Sequence, residues 1–140
     1  MKKVRYNNFT LSVPDSWNDE SMIVWVGPKK GMTAPTICIS SAKLPDGESF
    51  EKYASDQLEE LKNAVGSYVL HEKSETFFKD HQCIKSKISW KADGPRITQI
   101  QYTILTEEDL IVAATCTHTT SKFDQSEELF LDMLNNVELL

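Results

Sequence analysis

Residues 83–105, CIKSKISWKADGPRITQIQYTIL, contain two extended segments with a short turn between them. The turn is Asp93-Gly94-Pro95, whose residue types favour a tight connection. In the second segment an apolar row alternates with a polar row: Ile100, Tyr102 and Ile104 against Gln99, Gln101 and Thr103. This two-residue period is typical of a β-strand. Because short connections join antiparallel neighbours, the stretch predicts an antiparallel hairpin.

The sequence on either side extends this hairpin into a larger sheet. Further strands are predicted where apolar and β-branched residues are bounded by Gly, Pro or charged turns. The full set of predicted strands is Phe9–Val13, Ser21–Val26, Thr36–Ser41, Tyr68–Phe77, Cys83–Trp90, Ile97–Leu105 and Leu110–Thr117. The last four follow one another through short connections, so they form an antiparallel meander.

A first stretch with helical periodicity lies between the third and fourth strands. From Phe50 to Val65 the apolar residues recur every three or four positions, which predicts an amphipathic helix lying on the sheet. Ser49 or Asp46 is expected to cap its start. Gly66 is expected to close its end.

A second helix is predicted at the C-terminus, where apolar residues recur from Phe123 to Val137. Ser121 or Asp124 is expected to cap it. The order strands, helix, meander, helix predicts an α+β protein with two main helices packed on an antiparallel sheet. At 140 residues, the whole chain is expected to form one domain, residues 1–140.

The composition is that of an acidic globular protein. The formal net charge is −6, and basic residues occur only in short groups such as Lys29-Lys30, which does not favour nucleic-acid binding. The chain has no run of about 18 apolar residues, so no membrane span is predicted. The N-terminus lacks the apolar segment of a secretory signal. We therefore expect a cytoplasmic protein that does not insert into a membrane.

The chain contains no recognisable catalytic or metal-binding motif. Its three cysteines are widely spaced without a C-x-x-C pair, and its three histidines are isolated. There is no phosphate-binding glycine loop and no G-x-S-x-G. We expect no enzymatic activity, no cofactor and no metal. A hydrolase that uses Cys38 or His118 is the alternative among enzymes.

One row of the strand Thr36–Ser40, TICIS, suits neither a core nor an ordinary solvent face. Ile37 and Ile39 point to one side, whereas the residues on the other side are small and weakly polar: Thr36, Cys38 and Ser40. Met22 and Val24 share a row on the preceding strand. Together these rows predict an apolar surface with scattered neutral hydrogen-bonding groups.

Two glutamines fall within otherwise apolar patterns. Gln57 lies in the apolar stripe of the first helix, and Gln101 lies centrally in its strand. A buried amide needs hydrogen-bond partners. Each glutamine either bonds neighbouring backbone or water, or simply lies exposed, or it lines a groove and awaits polar groups of a ligand. If the glutamines line a groove together with the small-residue row, the surface suits an apolar helix, since small and neutral polar residues dominate contacts between transmembrane helices.

Three stretches of the sequence resemble the DcrB-related family within the PsbP-like fold. They are FTLSVPDSWNDESMIVWVGP, PTICISSAKLPDGESFEKYASDQLEEL and ITQIQYTI, and the resemblance runs from about Tyr6 to Val137. It implies a Mog1p/PsbP-like fold with a curved sheet. Members without a signal peptide include the Eag chaperones, which are associated with effectors of bacterial type VI secretion.

The resemblance also implies a site and a function. The family's helix-gripping residues fall on Met22, Val24, Thr36, Cys38, Ser40, Gln57 and Gln101. The implied protein is a cytoplasmic homodimer of a Gram-negative bacterium that shields the N-terminal transmembrane segment of an effector, of Rhs type or similar. It then helps to load that effector onto the secretion spike. The alternative is a non-enzymatic module of the same fold that binds a lipid or peptide or acts as a scaffold.

Overall fold

A six-stranded antiparallel sheet and two α-helices form most of the protein. The structure, a computed structural model, describes residues 1–91 and 93–139. Its elements are β1 (Lys2–Arg5), β2 (Thr10–Val13), β3 (Met22–Val26), β4 (Thr36–Lys43), α1 (Phe50–Ala64), β5 (Gly66–Phe78), β6 (His81–Lys91), β7 (Arg96–Leu105), a 3₁₀ turn (Glu107–Asp109), β8 (Leu110–Thr119) and α2 (Thr120–Asn135). The strand order across the main sheet is β3-β4-β8-β7-β6-β5. The predicted α+β architecture is confirmed.

Helix α1 carries the chain from one side of the sheet to the other. Strands β4 and β5 are consecutive in sequence but four strand spacings apart in the sheet, which is about 19 Å. A helix of 15 residues is about 22 Å long and covers that distance. The predicted meander β5-β6-β7-β8 then returns the chain to a position beside β4.

The two helices lie on opposite faces of the sheet. Each packs against one of the two sets of side chains that alternate along every strand. The α2 face holds the larger core cluster, formed by Ile37, Phe78, Cys83, Ile100, Tyr102, Ile104, Ala114, Cys116, Phe123, Phe130 and Leu134. The α1 face holds a smaller cluster at one end, formed by Leu44, Phe50, Ala54, Ile84 and Ile111. The rest of the α1 face is therefore left without an apolar core over it.

The ends of α1 follow the sequence signals in part. The Ser49 side chain accepts a hydrogen bond from the backbone N–H of Lys52 at 3.1 Å, so the predicted N-cap is confirmed. The prediction for Gly66 was wrong. The last residue of the helix is Ala64, Val65 is its extended C-cap, and Gly66 lacks the positive φ of a glycine cap. Gly66 instead begins β5, where an added Cβ would lie 3.4 Å from the carbonyl oxygen of Lys91.

The start of α2 also differs from the prediction. Strand β8 runs into the helix without a linker, so the N-cap position falls on Thr119, earlier than Ser121 or Asp124. The Thr119 side chain makes no capping hydrogen bond. The predicted caps were wrong because the strand continues two residues beyond Thr117 and leaves no loop in which a cap residue can sit.

Strands β1 and β2 form a separate two-stranded antiparallel sheet. The sequence predicted the second strand but not the first. Val4 and Leu11 oppose each other in this hairpin, and Trp17 follows it with most of its side chain exposed. A two-stranded hairpin is marginally stable by itself.

Candidate functional site

The uncovered part of the α1 face forms a groove between helix α1 and the floor of the sheet. Its volume is about 450 Å³. The floor and one wall are lined by Met22, Cys38, Ser40, Ile84, Ser86, Gln99, Gln101, Thr103, Ala113, Thr115 and Thr117 from the strands and by Tyr53, Ala54, Gln57, Leu58 and Leu61 from α1. Within the described residues, none of the side chains that line the groove carries a formal charge at neutral pH.

Strand register builds the floor from rows of small and neutral side chains. The first row pairs Ser40 with Ala113 and then Thr103, the second pairs Cys38 with Thr115 and then Gln101, and the third pairs Thr36 with Thr117 and then Gln99. Directly opposed residues in an antiparallel pair point to the same face. The floor is therefore low in relief and carries hydroxyl and amide groups at regular strand spacings.

A chain of hydrogen bonds runs along β7 in this floor. Gln99 Nε2 donates to Gln101 Oε1 at 3.2 Å, and Gln101 Nε2 donates to Thr103 Oγ1 at 3.3 Å. These contacts orient both amides. Within the described residues, the side-chain oxygen of Gln99 and the hydroxyl hydrogen of Thr103 have no side-chain partner, which leaves one acceptor and one donor at the two ends of the chain.

The seven residues predicted for the site lie on one surface. Five of them line the groove: Met22, Cys38, Ser40, Gln57 and Gln101. Val24 and Thr36 lie outside its lining, but Val24 opposes Cys38 and Thr36 opposes Thr117, so both belong to the same face. Gln57 lines the groove from α1 and is exposed, so it is not buried in an apolar stripe.

Several residues of the groove floor were not predicted as site residues from the sequence. Thr115 and Thr117 on β8 were read only as part of a strand, although they alternate with the buried row Ala114, Cys116 and His118. Gln99 and Thr103 were placed in the row of Gln101 but not in the site. The missing information was the register, which brings β8 between β4 and β7 and makes their polar rows continuous.

Cys38 and His118, the two residues named as alternatives for a hydrolase, lie on opposite faces of the sheet. Cys38 opposes Thr115 on the groove face, whereas His118 shares the other face with Cys116. The Nδ1 atom of His118 lies 3.1 Å from Ser126 Oγ, and burial, with a smaller effect of Lys122, lowers the pKa of this histidine. His118 is therefore not placed to act as a base for Cys38.

The other two thiols are poor nucleophiles. Cys83 and Cys116 are buried, and burial raises the pKa of Cys83 to about 11 and that of Cys116 to about 12. Only the thiolate attacks efficiently, so both thiols are largely unreactive near neutral pH. Their place in the α2-face core accounts for them as packing residues.

A hydrogen-bonded cluster on the α2 face contains His71, Ser89 and Arg96. His71 Nε2 lies 2.7 Å from Ser89 Oγ, and Arg96 donates to the same oxygen from Nε at 3.2 Å. Ser89 is only 1% exposed, so a substrate does not reach its oxygen in this conformation. The cluster ties the bulged strand β5 to β6 and β7.

Residues 1–91 and 93–139 contain no candidate metal site and no candidate membrane-spanning helix. No group of three or more His, Cys, Asp or Glu side chains in these residues has an arrangement that can hold a metal ion. No helix there combines the length and the apolar character needed to cross a membrane.

Comparison with solved structures defines the class of fold. The chain resembles the PsbP protein CyanoP of Synechocystis sp. PCC 6803 with a TM-score of 0.61 and 7% identity, over 93% of this chain and 99% of that one. It resembles protein PA94 of Pseudomonas aeruginosa with a TM-score of 0.84 and 20% identity, over 100% of this chain and 97% of that one. The expected Mog1p/PsbP-like fold is therefore confirmed.

The chain belongs to the DcrB family, whose model matches residues 9–136. It is also similar to a curated protein, Effector EagT6 of Pseudomonas aeruginosa. The two are 21% identical over 128 residues, which cover 91% of this chain and 88% of that protein. The family resemblance carried by the three quoted stretches is confirmed by these two matches.

Proposed function

We propose that this protein is a non-enzymatic, cytoplasmic chaperone of bacterial type VI secretion. It binds the N-terminal transmembrane helices of an effector before export, shields them from water, and helps to load the effector onto the secretion spike. The observation that carries the proposal is the uncharged groove of about 450 Å³ with a floor of small, neutral side chains. Membership of the DcrB family and the similarity to Effector EagT6 support it.

The physical need for such a protein follows from the cost of exposing a transmembrane helix to water. Each 100 Å² of apolar helix surface that is removed from water contributes about 2.5 kcal/mol, at about 25 cal/mol per Å². Association itself costs about 4–15 kcal/mol in lost freedom. The net free energy of binding therefore depends on how much of the helix the protein covers, and a small contact area leaves little surplus.

The chemistry of the floor matches an apolar helix better than a charged metabolite. Small side chains such as Ser40, Ala113 and Cys38 let a helix backbone come close, as they do between transmembrane helices. Neutral groups such as Gln101 and Thr115 satisfy the occasional polar atom of the guest. A charged lining would be costly, because the guest offers no partner for a buried charge.

The size of the groove limits how a helix binds. A 20-residue helix about 30 Å long and about 10 Å wide has a volume of about 2,400 Å³, several times that of the groove. Only one face of the helix enters, and the remaining faces need a second cover. A homodimer would offer two such grooves, one for each of a pair of helices.

A matched pair of variants on β4 tests the proposal. Ser40→Arg places a charged side chain in the groove, whereas Ser41→Arg places the same side chain on the opposite face of the same strand, at an exposed position. Each variant is co-expressed with a tagged N-terminal transmembrane segment of an effector. Ser40→Arg and Cys38→Arg are expected to abolish co-purification, and Ser41→Arg is expected to retain it.

The possible results separate the proposed function from its alternative. If all variants capture the segment like the wild-type protein, the groove is not the client site. If the wild-type protein captures no segment but native mass spectrometry finds a lipid or peptide bound, the small-ligand module replaces the chaperone. Circular dichroism of each variant tests whether a loss of capture is caused by a loss of folding.

A further inference from the structure

A second cavity adjoins the groove at the N-terminal end of α1. Its volume is about 270 Å³, and it is lined by Phe50, Glu51, Glu75, Thr76, Phe77, Gln82, Cys83 and Ile84. Ile84 lines the groove as well, so the two spaces share a border on β6. Unlike the groove, this cavity has charged walls, because Glu51 and Glu75 contribute carboxylates and none of its described lining residues is a cation. It is called the acidic cavity below.

Strand register places the acidic cavity on the same face of the sheet as the groove. Glu75 opposes Ile84 and Phe77 opposes Gln82, and directly opposed residues point to one face. Ile84 belongs to the core cluster under α1, so this face is the α1 face. The acidic cavity therefore continues the surface on which a guest helix lies.

A transmembrane helix is longer than the groove. Helix α1 lines the groove from Tyr53 to Leu61, a span of about 12 Å. A 20-residue guest helix is about 30 Å long, so more than half of it extends beyond this wall. The acidic cavity comes next along α1, since Phe50 and Glu51 precede Tyr53. The residues that flank one end of a guest lying along α1 therefore reach this cavity.

The acidic cavity has the chemistry of a site for a cation. Phe77 is 68% exposed, although phenylalanine is usually buried. The face of an exposed ring attracts an ammonium or guanidinium group, and the two carboxylates add a direct attraction between charges. Within the part of the chain that the structure describes, every ion pair joins groups other than Glu51 and Glu75. Both carboxylates are therefore free to bind the cation of a partner.

The charges around the acidic cavity do not cancel its field. Lys52 pairs with two carboxylates of its own helix end, and the ammonium groups of Lys79 and Lys85 lie over Phe78 and Tyr102 in the core of the other face. The N-terminus of α1 contributes about half a positive charge, which two full negative charges outweigh. Further carboxylates belong to the connections at this end of the sheet: Asp46, Glu48, Asp80, Glu107, Glu108 and Asp109. A cation is attracted to this end of the groove, and an anion is repelled.

We propose that the acidic cavity binds the basic residues that flank a client's transmembrane helix. The inference rests on the proposed chaperone function and adds to it the direction in which the helix lies along the groove. Transmembrane segments carry an excess of Lys and Arg near the end that faces the cytoplasm. That end lies beside Glu51 and Glu75, with a basic side chain against Phe77, while the apolar segment covers the uncharged floor. The floor alone does not distinguish the two ends of a guest by charge.

Peptide binding by the purified full chain gives the first test. The probes are three synthetic peptides in mild detergent, each with an apolar segment of about 20 residues and one flanking pair, which is Lys-Lys, Gln-Gln or Glu-Glu. The wild-type protein is expected to bind the Lys-flanked peptide at least about 5-fold more tightly than the Gln-flanked one, and the Glu-flanked peptide more weakly than either. The preference is expected to shrink at about 1 M salt, where the Debye length is about 3 Å.

A matched pair of double variants locates the source of this preference. Glu51→Gln with Glu75→Gln removes both charges of the acidic cavity and keeps the size of the side chains. Asp124→Asn with Glu128→Gln removes the same charge from α2 on the opposite face. All four positions are exposed, so both proteins are expected to fold, and melting curves check this. The first variant is expected to bind the three peptides equally, with unchanged affinity for the Gln-flanked one, and the second is expected to keep the wild-type preference.

Crosslinking tests the direction of the helix. A carbodiimide joins a lysine amine to a carboxylate in contact with it, and mass spectrometry is expected to find the Lys-flanked peptide joined to Glu51 or Glu75. Crosslinks to other carboxylates alone, equal affinity of the wild-type protein for all three peptides, or a preference that the Glu51 and Glu75 variant keeps would each overturn the inference and leave the chaperone standing. A wild-type protein that binds none of the peptides refutes the proposed function, and this use of the acidic cavity with it.

Discussion

Gln101→Glu separates the charge of the groove floor from its shape. The substitution keeps the size of the side chain and the acceptor oxygen that receives Gln99 Nε2, but it replaces a neutral amide with a carboxylate. Gln101 is half-buried in an open groove, so water solvates the new charge in the free protein. We expect the free energy of unfolding to change by less than about 1 kcal/mol.

Binding of an apolar helix is expected to suffer far more, because the guest expels this water. None of the described groove residues offers a cation to the carboxylate. Lys73 opposes Ser86, which opposes Gln101, so the backbones of Lys73 and Gln101 are two strand spacings, about 10 Å, apart. The Lys73 ammonium group donates to Ser55 Oγ on α1 at 3.2 Å. We expect affinity for a transmembrane peptide to fall at least about 100-fold near pH 7, which is about 2.7 kcal/mol.

The same loss has a definite pH dependence. Desolvation by the guest raises the pKa of the introduced carboxyl, so binding favours its protonated form. Affinity is expected to be near that of the wild-type protein below the ordinary glutamate pKa of about 4.3, and to fall as the pH rises. A 100-fold loss of affinity corresponds to a carboxyl pKa that is about two units higher in the complex than in the free protein. The affinity therefore stops falling about two pH units above the ordinary glutamate pKa. The wild-type protein, with an amide at this position, is expected to show no such change.

The assay is a titration of a solubilised peptide by the protein, repeated across this pH range, with Gln101→Asn as the neutral control. Melting curves of the free proteins check that folding is intact. Affinity of Gln101→Glu equal to that of wild type near pH 7, or a loss that does not reverse on acidification, would refute the idea that the floor must be uncharged to bind its guest.

Two further predictions concern the thiols and the core. With a thiol reagent at about pH 8, Cys38 is expected to react in the folded protein and to be protected by a bound helix. Cys83 and Cys116 are expected to react only after unfolding, since burial raises their pKa to about 11 and about 12. Labelling is counted by mass spectrometry, and equal rates for the three cysteines would contradict the described burial. Leu134→Ala, at a fully buried residue of α2, is expected to lower the free energy of unfolding by about 2–5 kcal/mol in denaturant titrations. Because α2 lies on the face opposite the groove, peptide affinity measured well below the melting temperature is expected to stay unchanged, and a parallel loss of affinity would show that the two faces are coupled.

Most of the main sheet could be predicted from local pattern. The alternation of Ile100, Tyr102 and Ile104 with polar neighbours specifies a strand with one buried face, and the short turns specify antiparallel neighbours. Strand β1 could not be predicted, because its sequence KKVR has a single apolar residue and is extended only through pairing with β2. The cap of α2 was missed for a related reason, since strand and helix meet without the loop that cap residues usually mark.

The candidate site was predictable only as separate rows. The row Thr36, Cys38 and Ser40 was visible in β4, and Gln101 was visible in β7. What joins them is β8, which lies between these strands although it is the last in sequence. Such long-range pairing is absent from local periodicity. The hydrogen bond from Gln99 to Gln101, which orients the central amide, depends on side-chain geometry and also lies beyond the pattern.

The most direct test of the central claim is photocrosslinking from the middle of the groove floor. A photoreactive amino acid replaces Thr115 in one protein and Ser41, on the opposite face, in another. Each is irradiated in complex with the effector segment, and the crosslinked residues are identified by mass spectrometry. Crosslinks are expected from position 115 to the apolar core of the transmembrane helix, and none are expected from position 41. Crosslinks from position 41 alone, or from neither position in a complex that still forms, would contradict the central claim.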